Sequence, residues 1–142
     1  MVSFFLYIVI IFTSVLFMEV VAILTHKYIM HGPGWFLHKS HHRNHDHKYE
    51  LNDIYFIIFS LPSMFSIIYG LLIVNFILLS IGIGILIYGI IYVFLHDVFV
   101  HQRFGIKVRF NNRYLKNILK SHKKHHSVKT KEGASHFGFI TY

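Results

Sequence analysis

Apolar and polar positions along this chain come in long blocks, and the blocks give its architecture. From Val2 to Leu24 the run is apolar, broken only by Ser3, Thr13, Ser14 and Glu19. As a helix it measures about 34 Å, enough to cross a hydrocarbon core of about 30 Å. No basic residue precedes Lys27 and no small-residue cleavage site is present, so the run reads as a transmembrane helix and not as a signal peptide. Thr25 to Glu50 is polar, with Gly32-Pro33-Gly34 as a turn and Trp35 as an interfacial anchor. Ile54 to Leu95 is a second apolar stretch of 42 residues without a charge. That is about 63 Å as helix, near twice the bilayer core, and predicts a transmembrane hairpin turning near Asn75. Pro62 is expected to kink its first arm. Ser80, Gly82, Gly84 and Gly89 are expected to let the second arm pack closely. Beyond it, Tyr114 to Lys120 reads as a short helix in a basic, mixed segment. The expectation is one all-α membrane domain over residues 1–142. It has three or four transmembrane helices, an N-terminal one and then a hairpin, under a histidine-rich helical cap.

Composition sharpens this picture. At 54% hydrophobic, the 142 residues are too apolar for an ordinary soluble domain of this size. There is no cysteine, which excludes disulfides, thiolate metal sites and thiol nucleophiles. The formal charge is +8, but the charge sits beside apolar runs and no nucleic-acid-binding motif is visible, so membrane lipid is the expected partner and not nucleic acid. All fourteen Lys and Arg fall between Lys27 and Lys48 or between Arg103 and Lys131. By the positive-inside rule those segments are cytoplasmic and the N-terminus lies outside.

The chemistry is carried by histidine. Ten of the thirteen fall in a doubled pattern: His26-x4-His31 and His38-x2-His41-His42, then His96-x4-His101 and His122-x2-His125-His126. Neutral imidazole is the commonest metal ligand, and one tetrahedral zinc takes only about four ligands. Ten in a repeat predict two metal ions in one site. Two membrane crossings return the chain to the side it left, so His96 and His101 emerge beside the first cluster. Each His-x2-His-His triplet has i, i+3, i+4 spacing, which on a helix puts three rings on one face. His26 and His31 are about 140° apart on an α-helix, so either the helix loosens near Gly32 or the rings approach from different sides. His45, His47 and His136 lie outside the repeat and are expected to be peripheral. Imidazole suits zinc, copper, iron and nickel alike.

Carboxyl groups near such a site would orient the rings and offset charge. Glu19, seven residues before His26 and on the same helix face, is one candidate partner for a ligating ring. Asp97 follows His96 directly, and Asn52 with Asp53 stands at the mouth of the hairpin. No nucleophile elbow, phosphate loop or dinucleotide fingerprint is present, so in an enzyme the metals carry the reaction. A metal site at a membrane surface also implies a lipid-soluble substrate.

With these residues in place the chain resembles bacterial β-carotene 3-hydroxylases, within the membrane-bound fatty-acid-hydroxylase superfamily. The matching stretches are Met18-Glu19-Val20-Val21-Ala22, His26 to Gly32, Trp35 through His42, Asn52-Asp53-x-Tyr55, Tyr92-x3-His96-Asp97, Val100-His101-x-Arg103, Tyr114-Leu115-Lys116, His122-x2-His125-His126, Glu132-Gly133 and Phe137-Gly138-Phe139. The resemblance implies a non-haem di-iron oxygenase of the bacterial inner membrane. It would use O2 and electrons from reduced ferredoxin, docked on the basic cytoplasmic face. β-Carotene would pass through β-cryptoxanthin to zeaxanthin. The ten repeat histidines carry over as iron ligands, with Glu19, Asn52, Asp53 and Asp97 around them.

Two other readings share the motif. One is a related sterol or fatty-acyl hydroxylase, desaturase or carotenoid ketolase. The other is a non-catalytic metal-binding or metal-transport membrane protein, which would place polar ligands within its crossings.

Overall fold

The computed structural model describes residues 3–43 and 49–142. His45 and His47, expected to be peripheral, lie outside the described residues. In order, the elements are α1 (Phe4–Leu24), a π-helix π1 (Thr25–Met30), α2 (Trp35–His38), α3 (Asp53–Leu72), α4 (Phe76–Tyr92), a second π-helix π2 (Val93–Val100) and α5 (Arg113–His126). No strand occurs among the described residues.

Among the described residues, three continuous helices are long and apolar enough to span a membrane: Phe4–Met30, Asp53–Leu72 and Phe76–Val100. At most 22% of the residues in their most apolar windows are buried by protein, so most of the apolar surface needs lipid as its solvent. The chain is an integral membrane protein of the all-α class, with the expected N-terminal helix and hairpin.

The chain divides into two compact units. The first joins Met1–Met18 to Tyr55–Ile91 and holds the hairpin. Its turn falls where expected: α3 ends at Leu72, and Asn75 Oδ1 accepts the Leu78 N–H at 3.0 Å, capping α4. Pro62 lies inside α3. The arms approach closely through Ser63, whose hydroxyl donates to the Gly82 carbonyl at 2.8 Å. A Cβ on Gly82 would meet Ile67, and one on Gly84 would stand 2.5 Å from Ser14 Cβ. Gly89 does not share this role, because a Cβ there meets nothing within 4 Å. It lies on an open face of α4, a distinction that glycine spacing along one helix does not reveal.

The second unit joins Glu19–Ile54 to Tyr92–Tyr142 and contains all ten repeat histidines. α5 is longer than the sequence predicts, running without a break through the last triplet. Asn112 caps it by accepting the N–H groups of Tyr114 and Leu115.

Candidate metal centre

The ten histidines converge as two sets of five. His26, His31, His38, His42 and His125 form the first set, all buried. His41, His96, His101, His122 and His126 form the second, in which His101 and His126 are half-buried. Each residue offers one ring nitrogen, and within a set these lie within 4.8 Å of one another. The sets share a wall: the His42 ring stacks on His126 at 4.5 Å between centroids and 7° between planes.

The sets do not follow the repeat. The middle histidine of each triplet crosses over, so His41 joins the second set and His125 the first. The i, i+3, i+4 spacing does keep three rings near one face, but that face is shared between two centres. The 140° problem at His26 and His31 is solved by the backbone. A π-helix bonds i to i+5, which brings residues five apart into line. His31 N–H reaches the His26 carbonyl at 3.0 Å, and His101 N–H reaches His96 at 2.9 Å. The helix loosens at both H-x4-H segments.

Ring tautomers follow from the outer partners. Carbonyl oxygens only accept, so a ring nitrogen facing one must carry the proton. In the first set every Nδ1 faces such an oxygen: His26 on Phe137 O (3.0 Å), His31 on Lys131 O (2.9 Å), His42 on Val128 O (2.8 Å), His125 on Ser135 O (2.9 Å) and His38 on Asn52 Oδ1 (2.7 Å). Each Nε2 is then a bare lone pair turned inward. In the second set His96 Nδ1 donates to Asp97 (2.7 Å) and His41 Nδ1 to Glu50 (3.1 Å).

These inward lone pairs crowd each other at 3.0–3.2 Å, a repulsive arrangement unless a cation lies between them. The His126 Nε2 atom is buried without a hydrogen-bond partner. Two nitrogens about 2.1 Å from one ion lie about 3.0 Å apart at a right angle and about 3.4 Å apart at the tetrahedral angle. The observed spacing matches the right angle. Five donors at right angles suit one five- or six-coordinate transition-metal ion per set better than tetrahedral zinc. The residues present therefore fit a two-metal centre.

Near neutral pH protonation does not compete with this. Burial pulls His38 and His125 down to about 3 and His42 to about 4, against the opposing hydrogen bonds from Asn52, Ser135 and Val128. Burial likewise lowers His31, His41, His122 and His126.

The segment after α5 closes the centre. Its carbonyls at Val128, Lys131, Ser135 and Phe137 orient four rings of the first set. The Phe137 ring packs edge-on against His26, His31 and His125, and Phe139 stacks on His26 while meeting His96 edge-on. Glu19 holds this strap in place. Its buried Oε1 accepts from Phe139 N, Ile140 N, Thr141 N and the Thr141 hydroxyl at 2.7–3.0 Å. Glu19 thereby reaches the centre through the strap, whose Phe137 carbonyl holds His26. Consecutive backbone N–H groups make a concavity for an acceptor, and the carboxyl fills it. Gly138 has no room for a side chain, since a Cβ would sit 2.3 Å from the Thr141 carbonyl.

Asn52 and Asp97 do accept ring N–H groups, as expected. Asp53 instead pairs with Arg103 and accepts the Glu50 N–H at 3.0 Å. As first residue of α3 its carboxyl is drawn to the local backbone, and Glu50 meets the ring. Trp35 packs on His31, His38 and His42. His136 lies outside both sets, with its Nδ1 2.8 Å from the Ser135 hydroxyl.

A cleft opens beside the second set. It is small, and His96 and His122 line it with the apolar Leu95, Val100, Ile118 and Phe139 and the polar Ser121, Thr141 and Tyr142.

Comparison with known proteins agrees with this geometry. The protein-family model for fatty acid hydroxylase matches residues 11–142. The chain is 42% identical over 131 residues to the β-carotene hydroxylase of Pantoea ananas, covering 92% of this chain and 74% of that one. It is 39% identical over 132 residues to the β-carotene hydroxylase of Paracoccus sp. (strain N81106 / MBIC 01143), covering 92% and 81%. A chloroplastic β-carotene 3-hydroxylase from Haematococcus lacustris is 38% identical over 117 residues, covering 79% of this chain and 36% of that protein. No solved structure matches.

Proposed function

From the premise that this chain belongs to the fatty acid hydroxylase family, we propose that it is a β-carotene 3-hydroxylase, adding a hydroxyl group at carbon 3 of β-ionone rings. The observation that carries this reading is the 39–42% identity to bacterial β-carotene hydroxylases over 92% of the chain. The ten imidazoles lie within the aligned family segment. β-Carotene would be converted through β-cryptoxanthin to zeaxanthin.

The resident metal is proposed to be iron, one ion per set of five histidines. When bound, the pair would supply O2 activation, with one oxygen atom going to the substrate, the other to water, and two electrons and two protons consumed. The rest falls to the chain. The carbonyl collar and the carboxyls of Glu50 and Asp97 keep Nδ1 protonated and Nε2 available. Leu95, Val100, Ile118 and Phe139 stand beside His96 and His122 and would give an approaching substrate ring apolar contacts there. α5 carries Arg113, Lys116, Lys120, Lys123 and Lys124, a basic face for an acidic donor such as ferredoxin and for anionic headgroups. That face is proposed to be cytoplasmic, with the N-terminus outside and the bacterial inner membrane as host.

The test is expression in a bacterial host that makes β-carotene, with a His122→Ala variant as control. β-Cryptoxanthin and zeaxanthin are expected only with the intact chain. Unchanged β-carotene, despite verified membrane expression and an available ferredoxin, overturns the carotenoid assignment. Metal analysis is expected to give two irons per chain.

A further inference from the structure

The two sets of imidazoles differ in what stands behind them. Behind the first set are neutral oxygens only: four main-chain carbonyls and the Asn52 amide. Behind the second set are carboxyl groups. Glu50 takes the His41 Nδ1–H and Asp97 takes that of His96. Asp53 adds a third carboxyl, which accepts the Glu50 N–H and is paired with Arg103. Arg103 also approaches Asp97 at 3.7 Å. A carboxylate behind an imidazole makes it a stronger electron donor than a carbonyl does. The second difference is independent of the first. The cleft touches His96 and His122, both of the second set, and all five rings of the first set are buried away from it.

We infer that Glu50 and Asp97 are positioning residues that make the two metal positions inequivalent, and that the His41, His96, His101, His122 and His126 position is the more electron-rich one and the one that meets the substrate. The inference rests on the two-iron reading above. It assigns a division of labour to a site whose sequence repeat looks symmetrical. The sealed position, backed by neutral oxygens, is the easier to reduce. The open one holds its oxidised state more firmly and faces the cleft.

The test uses the full chain in detergent, loaded with the Mössbauer-active isotope of iron and titrated with reductant. Two spectral components of equal area are expected, one reduced before the other. Asp97→Asn and Glu50→Gln are expected to shift only the later-reduced component and to bring its reduction earlier. Asn52→Asp places a carboxyl behind His38 and is expected to move only the earlier one, which separates tuning from damage. Azide, a small anionic probe approaching from the cleft side, is expected to perturb the component that Asp97→Asn perturbs. A single component, a joint response of both, or azide acting on the other component overturns the inference while leaving a two-iron protein. A chain that binds no iron pair overturns the two-iron reading, and the inference with it.

Discussion

A histidine ring in this centre has two nitrogens with separate tasks: Nε2 faces inward and Nδ1 fixes the ring. Asn52 shows the division plainly. Its Oδ1 holds His38 Nδ1 at 2.7 Å, and both residues are buried. Asn52→Leu keeps the bulk and removes the acceptor, so bound metal should leave about 10–100-fold faster in a chelator-release assay, with one ion affected more than the other. Glu19 works at longer reach. Glu19→Leu frees the three backbone N–H groups and the hydroxyl that it now satisfies. The strap should loosen, and trypsin should cut after Lys129 and Lys131 several-fold faster in the variant; an unchanged rate would mean that the phenylalanine rings hold the strap unaided. These two residues also mark what a sequence shows. The histidines are legible because their side chains carry the chemistry. Asp97 is legible by nearness to His96, and Asn52 by its place at the mouth of the hairpin. Glu50 was missed because it lies eight residues beyond His42 across a polar stretch with no motif. The carbonyls of Val128, Lys131, Ser135 and Phe137 were missed because any residue supplies a carbonyl, so the type of residue carries no signal.

At the scale of elements, the π-helices are the device that the H-x4-H spacing needs. An α-helix aligns residues four apart and a π-helix those five apart. Removing one residue from π1 should therefore let it relax to α-helix with both rings still on one side. Adding one leaves no regular helix that aligns them. Tyr28 is 58% exposed, so its deletion costs little packing. The Tyr28 deletion should keep more bound metal per chain than an alanine inserted after Tyr28, measured by elemental analysis of the purified proteins. Equal loss in both would show that the π geometry is incidental. The spacing raised this conflict in the sequence, but a single helix end cannot decide between a loosened backbone and divergent rings. The hairpin was easier to read. Forty-two residues without charge have few places to go, and Asn75 is a natural cap where the chain must turn.

For the whole molecule, acid is the natural probe. In an unfolded chain histidine takes its proton near 6.5. Folded His42 does so only near 4, and His38 and His125 near 3. Between those limits the unfolded chain binds more protons, so stability is full above about 6.5 and declines as pH falls through the window toward 3. The chelator-stripped protein should lose melting temperature steadily from pH 7 to pH 5. The metal-loaded protein should hold its own further into acid, until protons displace the ions. A flat profile for the stripped protein would mean that its rings become solvated once the ions leave. The sequence supplied the even number of crossings that brings His41 and His96 into one set. It did not supply the exchange of His41 and His125 between sets, because identical triplets give no reason to trade one member.

The strap has a further consequence, in time and not in space. His26 waits for a carbonyl 111 positions later, and Glu19 for donors 120 to 122 positions later. A nascent chain emerging from the ribosome would commit its first helix to the membrane long before those partners exist. Loops this long close slowly compared with local helix formation. The centre is thus the last part of the molecule to be assembled, and a polypeptide stalled before Thr141 would be inserted but left with its metal pocket unfastened.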